Sequence, residues 1–310
     1  MNERETNFIS AVVYVCDNEA TITEVLTNIN RSLAKCFKNY EIICVNDGSK
    51  DRSAEAIRKF ASKVKNAKIS MVNMGYYHGV DLAMECGVDF AIGDFVYEFD
   101  NNYNDYDEGV IKKVYDKCLE GFDIVSASNE ERTSGAKLFY RIFNKHSNLE
   151  YKLQTETFRI MSRRAVNRVN SLNNAMLYRK AVYANCGLKI CNIKYKPVVS
   201  ERRIITDEAR RNRKKVAANA LILFTDVGYK FALTMAMVML AVSIGVGIYT
   251  IVVFATGNPM QGWTTTMLFL AFGFFGMFAL ITIVIKYMDL LIDLNFKRKQ
   301  YVVEGIEKLN

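Results

Sequence analysis

The sequence predicts an α/β fold with a mostly parallel sheet, followed by a two-helix transmembrane hairpin. Three observations predict it. Short β-branched runs alternate with helical patterns through the first half of the chain, which is the mark of right-handed crossovers. The second and fourth of those runs end in clusters of oxygen-bearing side chains. Two stretches near the end, 231–255 and 264–285, carry no charge over 25 and 22 residues. About 20 residues suffice to cross about 30 Å of hydrocarbon.

The 310 residues allow one sizeable domain and something more. The net charge is +8, and basic residues gather at 202–215 and 297–299. That distribution points to a membrane surface or a phosphorylated partner. It carries no zinc spacing or aromatic-interleaved basic patch, so nucleic acid is not expected. Seven scattered cysteines with no CxxC read as reduced thiols of a cytosolic domain. The polar start, MNERETN, is not a signal peptide.

Residues 8–16, FISAVVYVC, form a buried-strand pattern. Asp17 or Asn18 can cap the next helix, whose apolar face carries Ile22, Val25, Leu26, Ile29 and Leu33. A second strand at 41–45 runs into Asn46-Asp47-Gly48-Ser49. A helix follows with Ala54, Ile57, Ala61 and Val64 at helical spacing. Residues 68–73 read as a third strand and 79–90 as a helix. The fourth strand, Phe95 to Phe99, stops at Asp100, and Asn101, Asn102, Asn104 and Asp105 follow. Alternate residues after a strand end can face one way, so Asp100, Asn102 and Asn104 can converge on one hard cation. An Asx-rich turn is the competing reading. A helix at 110–119 and a fifth strand at 123–127 complete the pattern. Asp47 and Asp100 thereby fall on the carboxyl edge of one sheet, where open α/β sheets bind ligands. GxGxxG is missing after the first strand, where the chain reads CDNEAT, which argues against a dehydrogenase.

VVYVCDNEATI, EIICVNDGSKDRS and HGVDLAMECGVDFAIGDFVYEFDNN, in that order, resemble the family 2 inverting glycosyltransferases, whose nucleotide-sugar domain is the Rossmann-like GT-A fold. The resemblance spans residues 8 to about 200. It implies a UDP- or GDP-linked sugar donor, with Asn18 and Glu19 at the nucleotide edge and Asp47 on the uracil or ribose. It implies that Gly93 and Asp94 pack beside the diphosphate, and that Asp100 opens the motif for Mg²⁺ or Mn²⁺. The family usually shows Asp-x-Asp, and its polyprenyl-phosphate branch Asp-x-Asp-x-Gln. Here Asp100-Asn101-Asn102-Tyr103-Asn104 offers a neutral oxygen at the second position, so weaker metal binding is expected. TETFRIMSRRAVNRV, 155–169, resembles the family's Asp-Phe-Arg segment, with Thr157 at the acid position. Glu156 is then the substitute carboxylate, catalytic together with Asp100 and Arg159. Arg132, Arg159 and Arg163 are the acceptor-phosphate candidates, since guanidinium matches phosphate oxygens in a fork. A surface glutamate and a solvated basic face compete as readings of Glu156 and of Arg163 with Arg164.

The expected organisation is a catalytic domain at 1–200, an amphipathic juxtamembrane helix at 201–228, the hairpin within 229–287, and a tail at 288–310. The connector TGNPMQGW has no Lys or Arg while both outer flanks are basic. The positive-inside rule then puts both termini and the catalytic domain in the cytoplasm of an inner-membrane protein. The tail resembles the juxtamembrane end of bacterial polyprenyl-phosphate glycosyltransferases, and the chain as a whole is similar to the dolichol-phosphate mannose synthase type of enzyme and its bacterial relatives. The resemblance implies transfer of a sugar to a polyprenyl phosphate at the cytoplasmic leaflet. A degenerate nucleotide-binding or scaffold protein, or a transferase to another lipid or envelope glycan, stands as the alternative. A homo-oligomer is compatible with the sequence.

Overall fold

The computed structural model describes residues 4–100, 105–130, 134–147, 151–172, 178–198, 217–219, 263–296 and 301–310, with isolated positions between 231 and 245. The chain divides into two compact units. One holds residues 1–220 and 298–310, the other 221–297.

The first unit is built on one eight-stranded sheet. Its strands are β1 (Ile9–Val15), β2 (Tyr40–Asn46), β3 (Lys68–Met74), β4 (Phe95–Phe99), β5 (Ile124–Asn129), β6 (Phe158–Ser162), β7 (Ile190–Tyr195) and β8 (Val303–Lys308). Their order in the sheet is β7-β5-β6-β4-β1-β2-β3-β8. The pairs β1–β2, β2–β3, β1–β4 and β5–β7 are parallel, while β6 runs antiparallel to β4 and β5. The expected mostly parallel sheet is therefore present. Strand order reverses between β1 and β4, and that switch point is where such sheets open a crevice at their carboxyl ends. The last strand, β8, lies antiparallel on β3 and comes from the tail.

The crossovers are helical. α1 (Ile22–Cys36) buries Ile22, Val25, Leu26, Ile29 and Leu33, the face that the sequence predicts. It is joined by α2 (Ser53–Ala61), α3 (Val80–Phe90), α4 (Glu108–Leu119), α5 (Ser134–His146), α6 (Arg163–Ser171) and α7 (Arg179–Ala184). The sheet carries a core on each face. Ala11, Val13, Tyr97 and Phe99 pack toward α1 and α4, while Val12, Val45, Val96 and Met161 pack toward α3 and α6. The two-residue alternation of β4 thus sends Tyr97 and Phe99 one way, and Val96, Glu98 and Asp100 the other.

In the second unit α8 (Trp263–Phe296) is one continuous helix of 34 residues and contains the whole second expected span. Its side chains are described in part, and among the described residues no helix is long and apolar enough to cross a membrane. The first expected span and the juxtamembrane helix at 201–228 lie almost wholly outside the described residues. Among the described side chains of α8 the exposed large apolar ones are Leu270, Phe274, Met277, Ile281, Val284, Met288 and Leu291. They recur every three or four residues, so they form one continuous stripe.

Candidate active site

At the carboxyl end of β4, two carboxylates and two guanidinium groups close into a ring. Glu98 stands opposite Arg159 in the β4–β6 ladder. Arg159 Nη1 donates to Glu98 Oε2 at 2.9 Å, and its Nη2 donates to Asp100 Oδ2 at 3.0 Å. Arg179, from α7, donates to the other two oxygens, Glu98 Oε1 at 2.6 Å and Asp100 Oδ1 at 2.7 Å. Each carboxylate accepts from both arginines, and each arginine donates to both carboxylates. Tyr183, one helical turn beyond Arg179, donates its hydroxyl to Glu98 Oε1 at 2.9 Å and lays its ring under Arg159. Two more carboxylates flank the ring. Glu156 Oε2 accepts from Arg159 at 2.9 Å, and Asp81 Oδ1 accepts from Arg179 Nε at 3.4 Å.

Glu98 is fully buried, and Asp100 is 16% exposed at the mouth of the ring. Burial alone would push Asp100 up, but Arg179 and Arg159 overcome it and hold the carboxyl down at about 2. Asp100 is thus a permanent anion on the ligand-binding edge. Lys180 is the one cation of this cluster without a carboxylate at ion-pair distance among the described residues. Its Nζ is 3.4 Å from the Tyr140 hydroxyl. Burial opposes its charge, while Tyr140, Glu156 and Asp100 raise its pKa above the ordinary lysine value.

The second part of the edge is made by the turns after β1 and β2, which are laced together. Asp17 accepts from Lys50 N–H at 2.7 Å, Asn18 N–H donates to Ser53 Oγ at 2.7 Å, and Glu19 N–H donates to Asp51 at 2.8 Å. Asp17 takes a φ of +49° there, a conformation that Asp tolerates better than most side chains. Asn18 is buried at this seam and Glu19 is exposed beside it. Asp47 follows β2 but is closed off from solvent, at 0% exposure. Its oxygens accept from His78 N–H at 2.7 Å, Gly79 N–H at 2.8 Å and the Tyr14 hydroxyl at 3.0 Å. Direct contact with a base or ribose is therefore corrected to a holding role: Asp47 fixes the loop at 75–79 that borders this edge.

Three expected site residues lie on the opposite edge. Gly93 and Asp94 precede β4, beside the start of β1. Gly93 N–H donates to Ser10 Oγ at 2.8 Å, and Asp94 accepts from Phe8 N–H at 2.8 Å. A Cβ on Gly93 would stand 2.6 Å from Ser10 N, so this glycine serves strand packing. Arg163 donates to the carbonyls of Gly93 and Ala91 and belongs to the same amino edge. β4 separates these residues from Asp100 by about 20 Å of strand, so their assignments to diphosphate and acceptor phosphate are corrected. Arg132, Asn102 and Asn104 lie outside the described residues. Asp105 and Thr157 are structural, both bonded to the Tyr195 hydroxyl.

Glu98, Arg179, Asp81 and Tyr183 join the site without having been expected. A lone Glu inside the apolar run FVYEF is the signal that was available, because an unpaired buried carboxylate is not tolerated. Among the described residues no group of three or more His, Cys, Asp or Glu is arranged to hold a metal ion. Of the described residues at this edge Asp100 fits as a ligand: it stays ionised, and two of its roughly four acceptor positions remain after the arginines are counted. A cavity of about 10 Å³ behind Tyr183, beside Met161 and Val166, has room for one water at most.

The model of glycosyl transferase family 2 matches residues 10–186, more than half of the chain. The uncharacterized glycosyltransferase sll0501 of Synechocystis sp. is 29% identical over 188 residues, and the match spans 58% of each chain, little more than half of that relative. The prophage bactoprenol glucosyl transferase homolog of Escherichia coli (strain K12) is 25% identical over 312 residues, covering 97% of this chain and 99% of that one. Among solved structures, the mannosyltransferase PcManGT from Pyrobaculum calidifontis, in complex with GDP-Man and Mn²⁺, matches with a TM-score of 0.50 at 13% identity, over 89% of this chain and 88% of that one. At that identity the likeness speaks for the fold. With the reversal at β1 and β4, the acidic strand end and a family match from β1 through α7, the chain belongs to glycosyl transferase family 2.

Proposed function

We propose that this protein moves a sugar from a UDP- or GDP-linked donor to a polyprenyl phosphate, at the cytoplasmic face of the membrane that anchors it. The observation that carries the reading is the charged ring, which holds Asp100 ionised at the carboxyl edge beside the β1–β4 switch point. Similarity along nearly its whole length to a bactoprenol glucosyl transferase homolog supports the lipid acceptor. The apolar stripe on α8 supports an anchor, since water-facing helices do not carry one so long. An acceptor whose lipid stays in the bilayer must meet its catalyst there.

In this reading a phosphate oxygen of the acceptor attacks the anomeric carbon, and the bond to the donor's diphosphate breaks. The diphosphate leaves with the electron pair, and the configuration inverts. The attacking oxygen is already anionic, so no proton has to be removed, and a side chain at Thr157 without basicity is tolerated. What the protein must supply is placement and charge. Arg159 and Arg179 are occupied by carboxylates, so they orient Asp100 rather than meet the acceptor. Lys180 is the described cation left to receive its phosphate. A divalent cation, Mg²⁺ or Mn²⁺, would neutralise the leaving diphosphate when bound, with Asp100 as its carboxylate and Asn102 and Asn104 as the neutral oxygens.

The test is to incubate membranes holding the protein with a panel of labelled nucleotide sugars and extract the lipid. Wild type should label a polyprenyl-phosphate lipid from one donor, in a Mn²⁺- or Mg²⁺-dependent way. Asp100→Asn should reduce that product by about 100-fold or more, the scale of a lost charge at the reacting centre. A non-catalytic nucleotide-binding protein of the same fold is the second reading, and the engagement of both Asp100 oxygens by arginine favours it. Nucleotide binding with no lipid product from any donor would replace the first reading by the second.

A further inference from the structure

The tail that follows α8 returns to the sheet as β8 and reaches the loop that Asp47 holds. We infer that this strand is a working part of the nucleotide edge, and that His78 is the positioning residue that links the two. The inference rests on the proposed function only in taking that edge as the nucleotide's.

β8 pairs with β3 from Ser70–Lys308 to Met74–Val303, with a register shift at Asn73 and Met74 where the ladder reaches the carboxyl end. Past that shift the tail goes on bonding, now to the loop. Gly75 N–H donates to the Val302 carbonyl at 2.9 Å, and Val302 N–H donates to His78 Nε2 at 3.1 Å. His78 Nδ1 is 2.5 Å from the Tyr76 carbonyl, to which only a protonated Nδ1 can bond. These two partners assign the tautomer: Nδ1 carries the proton and Nε2 accepts. The ring also stacks on Tyr76, with centroids 4.0 Å apart, and the side chain is 1% exposed.

The same residue also meets Asp47, its ring Nδ1 lying 3.7 Å from Asp47 Oδ1. His78 N–H and the neighbouring Gly79 N–H both donate to Asp47. Gly48, next to Asp47, lies so close to the loop that a Cβ there would come within 2.9 Å of Tyr76 C and 2.8 Å of Tyr77 N. The loop is therefore pinned from two sides, by the β2 turn and by the tail, and His78 takes part in both. A tail that merely covered the β3 edge would need strand pairing alone. It has that already, and it is further fixed by Glu307 on Arg58 and Asn73 and by Tyr301 on Asp89. A buried imidazole with both ring nitrogens committed adds a directional link that edge covering does not require. Loosening the tail should release the loop and weaken nucleotide binding, while the sheet stays folded.

The experiment uses the full-length protein in detergent, with UDP and GDP titrated calorimetrically. Four variants are compared with wild type: removal of residues 300–310, Val302→Pro, His78→Phe and His78→Gln. Val302→Pro keeps the carbonyl and deletes the N–H. His78→Phe keeps the ring and deletes the acceptor. His78→Gln offers an oxygen near the Nε2 position. Removal of the tail, Val302→Pro and His78→Phe should each weaken the preferred nucleotide by about tenfold, the scale of one buried hydrogen bond lost. His78→Gln should stay within about threefold of wild type. A synthetic peptide of residues 299–310 should restore affinity to the shortened chain and leave His78→Phe unchanged. Should Val302→Pro and His78→Phe bind as wild type does, or should the peptide rescue His78→Phe equally well, the inference is wrong. Wild type binding neither nucleotide would instead bring down the nucleotide reading itself, and the inference with it.

Discussion

Asp100 and Glu98 share two arginines, yet their situations differ. Glu98 lies in the interior, where an uncompensated charge is very costly. Two guanidinium groups and the Tyr183 hydroxyl supply the compensation. Asp100 lies at the mouth and is free to face a ligand. Its carboxyl, held near 2 against an ordinary value of 3.8, is ionised more readily in the folded chain than in the unfolded one. The stabilising contribution is therefore complete above the ordinary value and disappears as the pH falls through about 2. Its size is roughly 2 kcal/mol. The difference in unfolding free energy between wild type and Asp100→Asn should accordingly be largest near neutral pH and shrink between about pH 5 and pH 2. A difference that stays flat across this window would separate Asp100 from the two arginines. Asp100 and Arg159 were legible in the sequence, one as a strand end and the other in a family-like segment. Their partners were not. Glu98 reads as one polar interruption of an apolar strand, and Arg179 arrives from 79 residues beyond Asp100. Only the β4–β6 register and the placement of α7 bring the four together. The same register explains why Gly93, Asp94 and Arg163 were misplaced. A motif fixes neighbours along the chain, while a strand carries its two ends to opposite edges of the sheet.

Among the elements, α3 is the one whose seat the sequence specifies most tightly. It lies over β1 and β2, and Gly87 is the point of closest approach. A Cβ there would stand 2.3 Å from Val12 Cγ1 and 2.6 Å from Val45 Cγ2, both in the core of that face. Gly87→Ala must push the helix off the sheet or force both valines from their rotamers, a loss of about 1–3 kcal/mol. Thermal unfolding should show a lowered midpoint. Because Gly79, whose backbone Asp47 holds, leads directly into α3, the variant should also weaken nucleotide binding more than its stability loss alone predicts. Equal midpoints for the two proteins would mean that the helix rides higher on the sheet. Elements of this kind were readable in advance, since periodicities of 3.6 and 2 announce α1 to α4 and β1 to β5 directly. The antiparallel β6 and the tail strand β8 were not announced. Alternation in a short segment reveals that a strand exists, but its partner and direction are decided by which sheet edge is left open. β3 would be such an edge, and the tail closes it.

At the scale of the whole chain, the tail also bears on topology. Residues up to 220 and residues from 298 belong to one compact unit, since β8 is a strand of the same sheet as β1 to β7. A chain that leaves a unit and comes back to it must cross any intervening membrane an even number of times. Two charge-free stretches and a connector without Lys or Arg match that parity, and the proposed hairpin would put the connector on the far side. All seven native cysteines lie between Cys16 and Cys191, within the first unit, so they form a common background on one side. Single cysteines introduced by Asn258→Cys and Glu304→Cys then read the two sides separately. In intact cells an impermeant maleimide should label the first and spare the second. After permeabilisation both should react, because Glu304 is exposed on β8. Labelling of Glu304→Cys in intact cells would put the sheet itself outside. A failure to label Asn258→Cys in intact cells, with both variants reacting once the membrane is opened, would leave the connector on the same side as the sheet and remove the hairpin.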